Sequence, residues 1–132
     1  MEEVNKCTLV KLQLEKAHHF LVQAEEMYSL KHWDLAANRY YYACYHAVQG
    51  LFIHSGLPTA KKHAGVISQF SLHFVKTGLV STTLGSFFAR MMQLRQKADY
   101  NCFYNITKEE LEDYICLSKE LVSKVECLIT HI

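Results

Sequence analysis

The sequence has almost no proline, a single residue, and only five glycines in 132 positions. All-β sandwiches need turn residues every few positions, so this scarcity excludes them and favours helices joined by a few short connections. Charge of one sign is also missing, because 14 basic residues stand against 13 acidic ones. Sequence-independent nucleic-acid binding needs a clustered basic surface, and the composition supplies none beyond eight histidines that charge below neutral pH. No apolar run is long enough to cross a bilayer, and no signal-peptide pattern follows the acidic opening Met1-Glu2-Glu3. Five cysteines (Cys7, Cys44, Cys102, Cys116 and Cys127) contain no CxxC pair. Their odd count points to reduced thiols in a cytoplasmic protein. Metal-ligand spacing is lacking too: His18 and His19 are adjacent on one helix, His63 and His73 lie ten apart, and no i, i+4 histidine pair occurs. Neither a metal nor a cofactor is expected.

Half of the residues are apolar, enough to bury a core, and the length suits one domain spanning residues 1–132. From Cys7 to Ser29, Val10, Leu14, Ala17, Leu21, Ala24 and Tyr28 recur at steps of four and three, the seam of a packed helix. From Trp33 to His54, Trp33, Ala37, Tyr40, Cys44, Ala47 and Leu51 repeat that spacing, while Leu35, Tyr42, Tyr45 and Phe52 add a second apolar face. A helix apolar on two sides is central in its bundle or lies between the bundle and a partner. Asp34 falls in its first turn, where a carboxylate favours the helix dipole. Ser55-Gly56-Leu57-Pro58 ends it. A shorter helix is expected between Lys61 and Lys76, ending at Thr77-Gly78. Ser81-Thr82-Thr83 offers caps for a fourth helix that buries Leu84, Phe87, Phe88, Met91, Leu94 and Ala98. After a break at Asn101 to Asn105, Thr107-Lys108-Glu109-Glu110 has the form of a capping box, and Leu111, Ile115, Val122, Val125 and Ile129 mark the fifth helix. The expected fold is an all-α antiparallel bundle of four long helices and one shorter one.

Two constellations carry chemistry. In Arg39-Tyr40-Tyr41-Tyr42-Ala43-Cys44-Tyr45-His46 the phenols cover most of a helix surface. Tyr41, Tyr42 and Tyr45 are either core tyrosines of a central helix or the face of a homodimer. In Leu94-Arg95-Gln96-Lys97-Ala98-Asp99-Tyr100, Arg95 and Asp99 stand at i, i+4 and can pair on the helix surface, with Tyr100 and Tyr104 at the helix end. A guanidinium beside phenols suits gripping a phosphate while a base stacks nearby; the alternative is an ion pair that orders the helix end, worth a few tenths of a kcal/mol.

Three stretches together resemble the HEPN family of small helical bundles. They are Ala36-Ala37-Asn38-Arg39-Tyr40-Tyr41-Tyr42-Ala43-Cys44-Tyr45-His46-Ala47; His63-Ala64-Gly65-Val66-Ile67 with His73-Phe74-Val75-Lys76-Thr77-Gly78; and Leu94-Arg95-Gln96-Lys97-Ala98-Asp99-Tyr100. The resemblance implies a bundle that dimerises and is often paired with a minimal nucleotidyltransferase as toxin and antitoxin. Many members are metal-independent ribonucleases whose motif is an arginine followed four to six residues later by a histidine. There the arginine holds the scissile phosphate and the histidine moves protons. In some pairs the partner silences the toxin by attaching AMP to a nearby tyrosine.

Arg95 matches the motif arginine, but Tyr100, Asn101 and Cys102 occupy the histidine positions. An ordinary tyrosine titrates near 10 and cannot shuttle protons at neutral pH. The leading expectation is therefore a dimeric nucleotide- or RNA-binding protein of a toxin–antitoxin-like pair, with Arg95, Asp99 and Tyr100 lining its cleft and Tyr100 or Tyr104 open to AMP modification. One alternative is an RNA-cleaving toxin that uses Arg95 with a histidine from elsewhere, His63 or His46. The other is a stand-alone interaction module working through the tyrosine-rich helix.

Overall fold

The computed structural model describes residues 3–58, 62–100 and 105–131. Five α-helices form among these residues: α1 (Glu3–Ser29), α2 (Trp33–His54), α3 (His63–Phe70), α4 (Thr82–Tyr100) and α5 (Lys108–His131). The described residues contain no strand, as the apolar spacing and sparse turn residues lead one to expect. No helix among them is long and apolar enough to cross a membrane. The expected limits of α2 hold to the residue, whereas α1 begins four residues ahead of Cys7.

The connections show how the chain reverses. At the end of α1, His32 N–H donates to Met27 O at 2.9 Å and Lys31 N–H to Tyr28 O at 3.0 Å. This double closure places Lys31 in the left-handed region at φ 65°. The same closure recurs after α2, where Leu57 N–H bonds Phe52 O and Gly56 N–H bonds Ile53 O. There glycine takes the left-handed position, at φ 75°. The expected third helix is in fact α3 continued by one wide π turn, Ser71–Val75. In α4, Leu84 N–H donates to Ser81 Oγ at 3.2 Å, which makes Ser81 the cap. The capping box of α5 is complete: Glu110 N–H bonds Thr107 Oγ1, and Thr107 N–H bonds Glu110 Oε1, both at 3.1 Å. Asp34, beyond its place in the first turn of α2, accepts Ile106 N–H at 2.9 Å and ties that turn to the entry of α5.

Helix α2 is central, packing against every other helix. Toward α1 it presents little bulk. A Cβ on Gly50 would meet the Gln13 Cβ at 3.4 Å, and buried Ala17, Ala24, Ala43 and Ala47 keep the interior thin. Toward α3 and α4 it is aromatic: Phe52 stacks on Phe74, Tyr41 on Phe88, and Phe70 meets Phe88 edge-on. Each fully buried phenylalanine contributes about 2–3 kcal/mol. Gly85 lets α4 approach the π turn, because a Cβ there would lie 2.7 Å from Val75 Cγ2. Leu35, expected on a second apolar face, is instead exposed. Its neighbours on that face differ: Phe52 is fully buried and Tyr42 and Tyr45 are half-buried.

Candidate functional site

Arg95 sits on the buried face of α4, one turn after Met91, and this is the first departure from expectation. An arginine read from spacing as a surface residue is only 9% exposed. Its pairing with Asp99 holds, with Nη1 donating to Oδ2 at 2.8 Å. The guanidinium carbon lies 5.3 Å from the centre of the Tyr41 ring and 5.7 Å from that of Tyr42, within reach of both ring quadrupoles. Arg95 Nε is buried and has no hydrogen-bond partner among the described residues. A buried donor left unmade costs about 1–3 kcal/mol, and the described residues leave this one open.

Of the two histidines considered as a stand-in, His63 is the one that joins this cluster. It lies at the start of α3, and its Nδ1 is 2.6 Å from the Tyr41 hydroxyl. Its ring centre is 4.7 Å from that of Tyr45 and 5.8 Å from that of Tyr42. Burial, and next to it the charge of Arg95, holds the His63 pKa below the ordinary histidine value. Burial also raises the Tyr41 phenol far above its usual range, against the opposing pull of Arg95. Tyr41 therefore keeps its proton at any physiological pH.

The fold thus brings Arg95, Asp99, Tyr41, Tyr42, Tyr45 and His63 into one cluster. Tyr41, a candidate for an outward dimer face, is fully buried in the chain and offers a partner no surface. Tyr42 and Tyr45 remain half-buried. Tyr100 is 81% exposed at the end of α4. Tyr104, with Asn101 and Cys102, lies outside the described residues. His46, the other histidine considered as a stand-in, is elsewhere: it stacks on Phe20 at 5.5 Å and bonds Gln13 at 2.8 Å. Among the described residues no three of His, Cys, Asp and Glu converge on a point where a metal ion would sit. A groove of about 660 Å³ between α1 and the ends of α2 and α5 is lined by Val10, Leu14 and Ile129 together with charged and histidine side chains, and it does not reach Arg95.

A family model for the HEPN domain matches residues 10–128, which takes in every element of this cluster. The chain belongs to the HEPN domain family. Among its HEPN relatives, a UPF0332 protein of Thermotoga maritima is 37% identical over 94 residues, covering 71% of this chain and 70% of that protein. A protein of Methanocaldococcus jannaschii named as a candidate toxin is 35% identical over 112 residues, covering 85% of this chain and 75% of its own. A second candidate toxin of the same organism is 33% identical over 119 residues, covering 90% and 87%. Sequence spacing located Arg95 and Asp99 within this HEPN chain, and it named His63 only as one of two histidines, with His46, that could join them. No spacing rule chose between the two, because neither is near Arg95 in the chain.

Proposed function

We propose that this chain is a HEPN-type, toxin-like protein that binds the phosphate of a nucleotide or RNA through Arg95. Asp99 fixes the guanidinium, and exposed Tyr100 flanks the cleft, which a second copy of the chain completes. The protein works beside a nucleotidyltransferase that modifies Tyr100 or Tyr104. One observation carries the reading: Arg95 is buried among phenol rings, with Asp99 taking Nη1 and Nε unpartnered among the described residues. Arginine has five donors in a planar fork suited to phosphate, and a single carboxylate oxygen engages only part of that capacity. The candidate toxins among its relatives support the toxin-like part of the reading.

The test is fluorescence polarisation with a labelled single-stranded oligoribonucleotide, with unlabelled AMP as competitor. Arg95→Ala should weaken binding at least tenfold; equal binding by the variant and the wild type would refute the proposal. Light scattering at micromolar concentration tests the dimer, and mass spectrometry after co-expression with a nucleotidyltransferase tests for the AMP adduct. A second reading, metal-independent RNA cleavage, is favoured by one observation, that Tyr41 joins His63 to the surroundings of Arg95. Incubation with RNA in chelator, beside Arg95→Ala and His63→Ala, decides it: cleavage that all three proteins share, or that none shows, removes this reading.

A further inference from the structure

The hydrogen bond between Tyr41 and His63 has a direction that can be argued. Tyr41 is fully buried, and its hydroxyl proton needs an acceptor. Among the described residues that acceptor is His63 Nδ1, at 2.6 Å. The phenol donates, so Nδ1 holds a lone pair and the single proton of the neutral imidazole sits on Nε2. No hydrogen bond to Nε2 forms among the described residues, and His63 is only partly buried.

The groups around His63 oppose a second proton on it. Tyr41, Tyr42 and Tyr45 face it from α2, and the Arg95 cation lies across the Tyr41 ring on α4. Lys62, its neighbour in the chain, is exposed. Asp99, the carboxylate of this cluster, is engaged by Arg95. Charging His63 would set an Nδ1–H against the Tyr41 hydroxyl and add a cation near a buried one. Burial and Arg95 already depress its pKa in that sense.

We propose that His63 is a second phosphate-binding group of this site, held by Tyr41 as a neutral imidazole that presents Nε2–H to a phosphate oxygen beside Arg95. The inference rests on the reading of Arg95 as the phosphate grip. It gives His63 a role different from that of a base, since the accessible nitrogen already carries the proton. Tyr41 is then a positioning residue that sets the tautomer. A neutral donor grips a phosphodiester through a hydrogen bond without adding a second cation beside Arg95.

Two measurements test this. Long-range proton–nitrogen NMR of the wild type should show neutral His63 as the Nε2–H tautomer, titrating below the ordinary histidine value, and in Tyr41→Phe its titration should rise toward that value. Binding of the labelled oligoribonucleotide, whose phosphodiesters do not titrate, should be flat between about pH 7 and 8, where a histidine held below its ordinary value stays neutral. His63→Ala should weaken it about tenfold and His63→Gln, which keeps an N–H donor, by much less. Competition by AMP and by inorganic phosphate separates a nucleotide source from an RNA backbone. An Nδ1–H tautomer, or binding by His63→Ala as tight as wild type while Arg95→Ala has lost it, overturns the role of His63 and leaves that of Arg95 standing. Undiminished binding by Arg95→Ala removes both.

Discussion

Two trios of arginine, aromatic ring and histidine flank the tyrosine run of α2, and they differ in one atom that matters. On the α1 side, Arg39 lies 5.6 Å from the Phe20 ring, and His46 stacks on the same ring. On the α4 side, Arg95 and His63 share Tyr41. Phe20 has no hydroxyl, so His46 is held from α1 by Gln13, whose side-chain oxygen takes the Nδ1 proton. Tyr41 has one, and it places the proton of His63 on the other nitrogen. Arg39 is half-buried and donates to Asn38 next to it, whereas Arg95 is buried with Nε unpartnered among the described residues. The same three residue types thus make a packed joint in one place and a cluster with spare donors in the other. Burial alone accounts for the first trio, whereas the second keeps a buried donor unpartnered among the described residues, which the proposed phosphate would engage.

Removing the central ring of each trio should separate them most sharply. Tyr41 is fully buried and touches Phe88, His63 and Arg95, so Tyr41→Ala should cost about 3–5 kcal/mol in chemical denaturation. Phe20 is partly exposed, and Phe20→Ala should cost about 1–3 kcal/mol. Equal losses would mean that the α4-side cluster is no better packed than the α1 joint, and the contrast would fail.

Acid should expose the next difference. Burial, and after it the charge of Lys16, lowers the pKa of His46 to about 4. An unfolded histidine titrates near 6.5, so below that pH the unfolded chain binds more protons than the folded one. The contribution of neutral His46 is fully present above about pH 6.5 and is lost as pH falls toward about 4. Discounted for solvent screening, it amounts to about 1–2 kcal/mol. Urea unfolding at several pH values should show His46→Gln losing that much less than wild type over this window. His63→Gln should also flatten the profile below about pH 6.5 in the same direction, because His63 is held below its ordinary value. An unchanged acid profile in His46→Gln would mean that this joint does not exclude the imidazolium.

How much of this was legible in the sequence depends on the reach of each interaction. The capping box at Thr107, the stop at Gly56 and the apolar stripe of α4 are all set within a few residues, and each falls where expected. The stop at Lys31 was not legible, because a lysine in the left-handed region lacks the glycine that usually signals this closure. The π turn at Ser71–Val75 is likewise silent in composition. At the site, the Arg95–Asp99 pair is local and was expected, but the burial of Arg95 was not, since charge on a helix is ordinarily solvated. The contact of His63 with Tyr41 spans 22 positions, and no spacing rule connects them. Half of the candidate site is therefore a property of the tertiary packing of α3 and α4 on α2.

The smallest expected effect is the most discriminating between a joint and a binding cluster. Asp99 is well exposed, with 41% of its side chain accessible, while the Arg95 side chain it pairs with is 10% accessible. Asp99→Asn keeps an oxygen that can accept from Nη1 but removes the charge. If the pair merely orders the helix end, the change should cost a few tenths of a kcal/mol in stability and leave phosphate binding alone. Among the described residues no second carboxylate bonds Arg95, so fixing of its fork depends on Asp99. The expected result is therefore a stability change below about 1 kcal/mol together with oligoribonucleotide binding weakened about two- to fivefold. Arg39, whose hydrogen bond is to its neighbour Asn38, supplies the control: Asn38→Ala should alter stability by a similar small amount and binding not at all. A loss of binding in Asn38→Ala equal to that in Asp99→Asn would erase the distinction between the two trios.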